Sequence, residues 1–145
     1  ALQMHDAYPP AKIVTIERDM DRYVQAKENT QKKQTGDTIQ VLHGDALEVL
    51  SDLDGYHFDV IFIDAAKGKY KHFFELASPL MNAGALIISD NVLFKGYVAG
   101  AVDANPRYKK MAEKIKRYNT WLTGLTDYDT SIIPIGDGVA ISLKR

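Results

Sequence analysis

Short apolar runs alternate with longer amphipathic segments along the 145 residues of the chain. Such alternation is typical of βαβ units, in which helices cover a largely parallel sheet. The runs expected to form strands are residues 12–17, 38–43, 59–63, 84–89, 130–135 and 139–144. Because residues 59–63 are apolar at most positions, we expect a parallel strand buried on both faces. The sequence therefore predicts an α/β fold with a mostly parallel sheet.

Helices are predicted between these strands, at residues 1–7, 19–34, 45–53, 69–82 and about 107–122. Gly36 is expected to end the second helix. In the last helix, five apolar or aromatic residues recur at helical spacing and should face the core. They are Tyr108, Met111, Ile115, Tyr118 and Leu122.

The last two strands are separated by Gly136-Asp137-Gly138. Glycine tolerates the positive φ angles that tight hairpin turns require. We therefore expect the mostly parallel sheet to finish in an antiparallel hairpin.

The composition excludes several classes of protein. Hydrophobic residues make up 46% of the chain and no apolar run approaches the length of a membrane span. The absence of cysteine excludes disulfides, thiolate zinc sites and cysteine nucleophiles, and it fits a reducing cytoplasm. The net charge of -1 gives the whole chain no electrostatic preference for nucleic acid.

Two predicted strands end in acidic residues, one at Asp64 and the other at Asp90, which Asn91 follows. Ligands of open parallel sheets bind at the carboxyl ends of the strands. If the two strands are neighbours, two carboxylates and an amide oxygen converge, and these hard oxygens suit Mg²⁺ or Ca²⁺ better than zinc. The alternative is that each residue only caps a turn or helix.

Three further residues are candidates with ordinary alternatives. Lys67 follows Asp64 closely and could act as a base or hold an oxyanion, or it could be a solvated surface lysine. Glu17 could accept hydrogen bonds from ribose hydroxyls, or it could be an acid at a helix N-terminus. Asp45 could receive an adenine amine or cap its helix.

One helix is strongly basic. Six basic residues are opposed there only by Glu113, namely Arg107, Lys109, Lys110, Lys114, Lys116 and Arg117. Such a face is usually solvated, and the alternative is contact with phosphates.

Three blocks resemble the cation-dependent O-methyltransferases, the family of catechol and caffeoyl-CoA O-methyltransferases. Residues 58–70 (FDVIFIDAAKGKY) resemble its FDxxFIDAxKxxY block, residues 89–96 (SDNVLFKG) its DNVLxxG block, and residues 135–142 its terminal GDGxxxS hairpin. The stretches 11–19 and 118–122 are similar to those of bacterial tRNA 5-hydroxyuridine methyltransferases.

The resemblance implies a Rossmann-like fold, S-adenosylmethionine (SAM) as cofactor and a divalent cation, Mg²⁺ being the first choice. It implies that Asp64, Asp90 and Asn91 bind the metal and that Lys67 is the catalytic lysine. Glu17 matches the ribose-binding acid and Asp45-Ala46 the adenine-contacting pair, while Asp64 also lies near the methionine moiety of the cofactor. The implied acceptor is tRNA or a small hydroxylated aromatic compound, and a homodimer is expected.

The resemblance also implies a glycine-rich loop and a first strand, which this sequence lacks. In the family, that strand lies between those at residues 12–17 and 59–63. We therefore expect residues 1–145 to be a single, N-terminally truncated methyltransferase domain. Two other classes stay open: a fragment of a dinucleotide-dependent oxidoreductase, which gives the acidic strand ends no joint role, and a non-catalytic RNA- or partner-binding module.

Overall fold

A computed structural model describes residues 1–100 and 106–145. The chain forms two compact units, residues 1–53 and 54–145, and each is described by itself. In the described part of the chain, no helix combines the length and apolarity needed to span a membrane. The single domain over residues 1–145 stays a prediction.

The first unit contains one pair of parallel strands and three helices. In chain order these are α1 (Leu2–Ala7), β1 (Ile13–Glu17), α2 (Met20–Lys32), β2 (Ile39–His43) and α3 (Ala46–Val49), followed by a 3-10 helix at Leu50–Asp52. β1 and β2 pair in register from Ile13 with Ile39 to Glu17 with His43. Both strands therefore end at the same edge of this sheet.

Helix α2 ends earlier than the position of Gly36 predicts. The helix stops at Lys32, and Gln34 adopts a left-handed conformation with φ 55°. The backbone N–H of Thr35 then donates to the carbonyl of Thr30 at 3.0 Å, and this satisfies one of the last carbonyls of the helix. The expectation that Gly36 ends the helix was therefore wrong by two residues.

The second unit is built on a four-stranded sheet. Its elements are β3 (Phe58–Ile63), α4 (Tyr70–Ala77), β4 (Met81–Asp90), α5 (Pro106–Thr123), β5 (Tyr128–Ile133) and β6 (Val139–Lys144), with 3-10 helices at Lys67–Lys69, Ser78–Leu80 and Tyr97–Ala99. The strand order is β3-β4-β6-β5. β3 pairs with β4 in parallel, and β6 is antiparallel to both β4 and β5. The predicted α/β class, parallel strand pairs and terminal antiparallel hairpin are confirmed.

Two predictions of burial were wrong. Val60 and Phe62 on β3 are 51% and 46% exposed, because β3 pairs only with β4 among the described strands and one of its faces stays uncovered. Tyr108 is 41% exposed, and its ring lies 5.9 Å from that of Phe94 and 5.5 Å from that of Tyr97 instead of entering the core. Its position in the first turn of α5 explains the difference, since the core-facing stripe becomes buried only further along the helix.

The core of the second unit lies between α4, α5 and the sheet. Ile115 and Leu122 on α5 are fully buried, as expected, and so is Ile87 on β4. The ring of Phe74 on α4 packs edge-on against Tyr128 at a centroid distance of 4.9 Å. The helices are therefore fixed to the sheet by large apolar side chains.

Replacing Leu122 by Ala should lower the free energy of unfolding by about 2–5 kcal/mol, because it leaves a cavity in a close-packed core. Ile135→Ala is the matched control, since Ile135 is 68% exposed and its truncation should change stability by about 0.5 kcal/mol or less. Urea denaturation of both variants measures the difference. Equal effects would show that α5 does not pack as described.

Candidate functional site

The ends of β3 and β4 bring two of the predicted acidic residues to one edge of the sheet. Ile63 pairs with Ser89 in the parallel register, so Asp64 and Asp90 follow at neighbouring strand ends. The two strands are neighbours, which is the condition that the metal hypothesis requires. Asn91 has a left-handed backbone with φ 54°, and its N–H donates to Asp90 Oδ1 at 2.7 Å. The chain thus turns sharply immediately after β4.

Lys67 contacts this turn directly. Its Nζ donates to Asn91 Oδ1 at 2.7 Å, and its side chain is half-buried. Lys67 opens the 3-10 helix that leads into α4, which positions it beside the end of β4. The structure therefore brings Lys67 and Asn91 together, and this contact does not fit the alternative of a freely solvated lysine.

Tyr70 belongs to the same cluster and was given no role by the sequence. Its hydroxyl donates to the backbone carbonyl of Asp90 at 2.9 Å, and the side chain is 1% exposed. Burial, followed by the negative charges of Asp64 and Asp90, raises the pKa of the Tyr70 phenol above its ordinary value. Both carboxylates therefore lie within electrostatic reach of one phenol. The only sequence signal for Tyr70 was its place at the end of the 58–70 block.

A second tyrosine supports β4 from helix α5. The hydroxyls of Tyr118 and Ser89 are 2.7 Å apart, and Ser89 directly precedes Asp90. Burial raises the pKa of Tyr118 to about 12, partly offset by the hydrogen bond with Ser89. Tyr118 therefore stays a neutral hydrogen-bonding group in the ordinary pH range and holds the last residues of β4 against α5.

The hairpin turn holds the chain that follows Asn91. Val92 N–H donates to the carbonyl of Gly138, and Leu93 N–H donates to that of Asp137, both at 2.9 Å. The side-chain amide of Asn119 on α5 donates to the carbonyl of Val92 at 2.8 Å. The terminal hairpin and α5 thus fix the backbone of the candidate site, a role that the sequence did not reveal for either.

The candidate cofactor residues lie in the first unit. Glu17 ends β1, and its Oε1 accepts from the N–H of Asp19 at 2.9 Å. Asp45 caps α3 by accepting from the N–H of Leu47 at 3.0 Å, and Ala46 is the first residue of that helix. The capping alternative for Asp45 is therefore realised, and both acidic side chains lie at the carboxyl ends of the β1–β2 pair.

The donor set in the second unit fits a hard divalent cation. Within the described residues, no group of three His, Cys, Asp or Glu side chains is placed to hold a metal ion. Asp64, Asp90 and Asn91 form a different set, two carboxylates and an amide oxygen, which matches the oxygen preference of Mg²⁺. The Asn91 oxygen already accepts from the ammonium group of Lys67, so it faces a cation in this structure. The fit rests on donor chemistry and on the neighbouring positions of Asp64 and Asp90 at the ends of β3 and β4.

Comparison with known proteins identifies the family to which the chain belongs. The model of the O-methyltransferase family matches residues 1–145, so the chain belongs to that family. A catechol O-methyltransferase of Niastella koreensis is 29% identical over 142 residues, which cover 92% of this chain and 62% of the relative. A caffeoyl-CoA O-methyltransferase of Populus kitakamiensis is 31% identical over 136 residues, covering 90% of this chain and 58% of the relative. The chain thus spans about six tenths of these curated relatives.

Solved structures with the same fold support this family assignment. A Staphylococcus aureus protein provisionally assigned as a caffeoyl-CoA O-methyltransferase superposes with a TM-score of 0.90 at 35% identity, covering 99% of this chain and 69% of its own. The SAH-bound Podospora anserina methyltransferase gives 0.84 at 27% identity, with 93% and 61% covered. The predicted family is confirmed, and the closer likeness to tRNA methyltransferases stays a prediction.

Proposed function

We propose that this protein transfers a methyl group from SAM to a hydroxyl group that has a second oxygen as its neighbour. Membership of the O-methyltransferase family supports methyl transfer over the oxidoreductase alternative. The observation that carries the proposal is the 2.7 Å contact between Lys67 Nζ and Asn91 Oδ1, beside the ends of β3 and β4. The contact holds the Lys67 amine beside the end of β4, and an amine within hydrogen-bond reach of a hydroxyl can accept its proton.

In this proposal, Asp64, Asp90 and Asn91 would hold the divalent cation, with Mg²⁺ as the first choice. When bound, the cation would polarise the acceptor oxygens and lower the pKa of the reacting hydroxyl. Tyr70 would hold the end of β4 through its bond to the Asp90 carbonyl. The buried phenol would keep its proton at neutral pH, because its pKa is raised.

Lys67 would take the proton of the acceptor hydroxyl at Nζ or stabilise the resulting oxyanion. The acceptor oxygen would then attack the sulfonium methyl in line: an O–C bond forms as the C–S bond breaks, and S-adenosylhomocysteine leaves. Holding the two reactants at contact distance would supply much of the acceleration. Asp64 would also lie near the methionine moiety of SAM.

The cofactor would use residues of the first unit. Glu17 would accept hydrogen bonds from the ribose hydroxyls. The N–H of Asp19 donates to Glu17 Oε1, and the carboxylate has further acceptor sites for the ribose. Asp45 and Ala46 would contact the adenine, with Asp45 using the oxygen that does not cap α3. SAH in a structural relative supports this choice of cofactor.

Two acceptors are compatible with the proposal. A 5-hydroxyuridine in tRNA offers O5 beside O4, and a catechol or caffeoyl ester offers two neighbouring oxygens as well. The stretches 11–19 and 118–122 favour tRNA, whereas the curated relatives favour a small aromatic compound. The segment 95–106 is expected to decide between them, and residues 101–105 of it lie outside the described residues. The homodimer and the cytoplasmic location stay predictions.

Lys67→Met should lower kcat for methyl transfer by about 10²–10⁴-fold, because it removes the proton-accepting amine. Transfer from methyl-labelled SAM to catechol and to tRNA containing 5-hydroxyuridine, catalysed by the full-length protein, measures the effect. Lys69→Met is the control, since Lys69 is exposed in the same 3-10 helix. Wild-type protein that methylates neither acceptor, yet binds RNA, would favour the non-catalytic alternative. Full activity of Lys67→Met would exclude Lys67 as the base.

A further inference from the structure

Positive charge is concentrated on helix α5, although the whole chain has a net charge of -1. In 18 residues the helix holds six basic side chains and one acidic side chain, Glu113. All six basic residues are exposed. Such a face is usually solvated, and contact with an anionic partner is the alternative.

Four of the basic residues form a single row along the helix, and an aromatic residue extends the row. They recur at intervals of three or four residues, which puts them on one face: Arg107, Lys110, Lys114, Arg117 and Trp121. The buried residues Ile115 and Leu122 lie about a third of a turn around the helix from this row. We call Arg107, Lys110, Lys114 and Arg117 the basic row.

Within the described part of the chain, three of the four side chains of the basic row take part in no salt bridge. Across residues 1–100 and 106–145, no salt bridge involves Lys110, Lys114 or Arg117. A Cβ built on Gly68 would lie 3.5 Å from Lys114 Nζ, so this lysine lies beside the 3-10 helix that contains Lys67. The basic row therefore runs past the candidate site.

A shallow, open surface of α5 adjoins the far end of the basic row. It is formed by Glu113, Lys116, Arg117, Thr120 and Trp121, all on this helix. Trp121 is only half-buried, and Lys71 Nζ lies 5.0 Å from the centre of its ring. An aromatic surface bordered by cations is the arrangement that proteins use to stack unpaired bases while holding the backbone.

We propose that the basic row and Trp121 bind a single-stranded RNA segment, with the cations on successive phosphates and a base against the Trp121 ring. Residues three or four apart in a helix rise by about 4.5–6 Å, which suits the repeated charges of an extended phosphodiester chain. A membrane surface is disfavoured, because Tyr108 and the half-buried Trp121 are too few to form the continuous apolar face that inserts into lipid. This inference rests on the proposed function, because it takes the hydroxyl group that is methylated to be part of an RNA.

The test is binding of a fluorescein-labelled, unstructured RNA 12-mer to the full-length protein, followed by anisotropy over a range of salt concentrations. The triple variant Lys110→Gln, Lys114→Gln, Arg117→Gln should weaken binding at least tenfold at low salt. The slope of log affinity against log salt should become shallower by about 2, since each lost contact with a single strand contributes about 0.7. Lys27→Gln, Lys32→Gln, Lys33→Gln, on α2 and at its C-terminal cap, is the matched control, because it removes the same charge from exposed positions. It should change affinity less than twofold.

Equal weakening by both triple variants, no binding of RNA by the wild type, or equal affinity for polyglutamate and RNA would each overturn the inference. Methyl transfer to catechol, measured in the same variants, separates the two proposals. Catechol methylation without RNA binding would leave the proposed function intact and remove the RNA surface. RNA binding that depends on the basic row, with no methyl transfer to any acceptor, would support the surface and contradict the proposed function.

Discussion

Asp90→Ala is expected to abolish the stimulation of methyl transfer by Mg²⁺, with a loss of at least about 10²-fold at saturating metal, comparable to removing one electrostatic stabiliser of a reacting oxygen. Asp90 supplies one of the two carboxylates of the candidate metal site. Its Oδ1 also accepts from the N–H of Asn91 at 2.7 Å, so the substitution frees the turn that orients Asn91. The effect should therefore exceed that of losing a single ligand.

The measurement is the initial rate of methyl transfer by the full-length, chelator-treated protein as MgCl₂ is added. Calorimetric titration with Mn²⁺ follows metal binding without catalysis and should lose its signal in the same variant. Asp59→Ala is the matched control: Asp59 lies near the opposite end of β3, where its carboxylate accepts from the side-chain amide of Asn82 at 2.7 Å. Undiminished stimulation of Asp90→Ala by Mg²⁺ would remove Asp90 from the metal site.

Most of the helices, strands and turns could be predicted, because each is indicated by a local sequence pattern. The hairpin follows from Gly136-Asp137-Gly138, and both glycines have positive φ. The position of β6 between β4 and β5 could not be predicted, because pairing between distant strands leaves no local signal. Burial of Val60 and Phe62 was predicted wrongly for a related reason: an apolar side chain is buried only where another element covers it.

Site residues that follow from a general rule of sheet geometry were predicted, whereas a residue whose role depends on one particular contact was missed. The carboxyl ends of adjacent parallel strands meet, so Asp64 and Asp90 could be paired in advance. Lys67 contacts Asn91, whose backbone is left-handed. Asparagine adopts this conformation more readily than most residues, but the sequence does not show whether it does so here. Tyr70 was missed because a tyrosine at the start of a helix is ordinarily a core residue, and only its hydroxyl contact distinguishes it.

Gly138→Ala is expected to destabilise the protein by about 2–5 kcal/mol, from a left-handed backbone and overpacking together. Gly138 has φ 83°, and an added Cβ would lie 2.3 Å from Leu93 Cγ and 2.8 Å from Leu93 Cβ. Leu93 has little room to move, because its N–H donates to the carbonyl of Asp137 in the same turn. The new methyl group must therefore displace the segment that follows Asn91, and methyl transfer should fall with stability.

Gly136→Ala separates the two causes of this effect. Gly136 lies in the same turn with φ 56°, but a Cβ there would meet nothing within 4 Å. Gly136→Ala should lower the free energy of unfolding by about 1 kcal/mol, the cost of the left-handed backbone alone. Methyl transfer should stay close to that of the wild type. Urea denaturation and initial rates below the unfolding transition measure both quantities. If the two variants lost equal stability and activity, contact with Leu93 would not be what ties the hairpin to the candidate site.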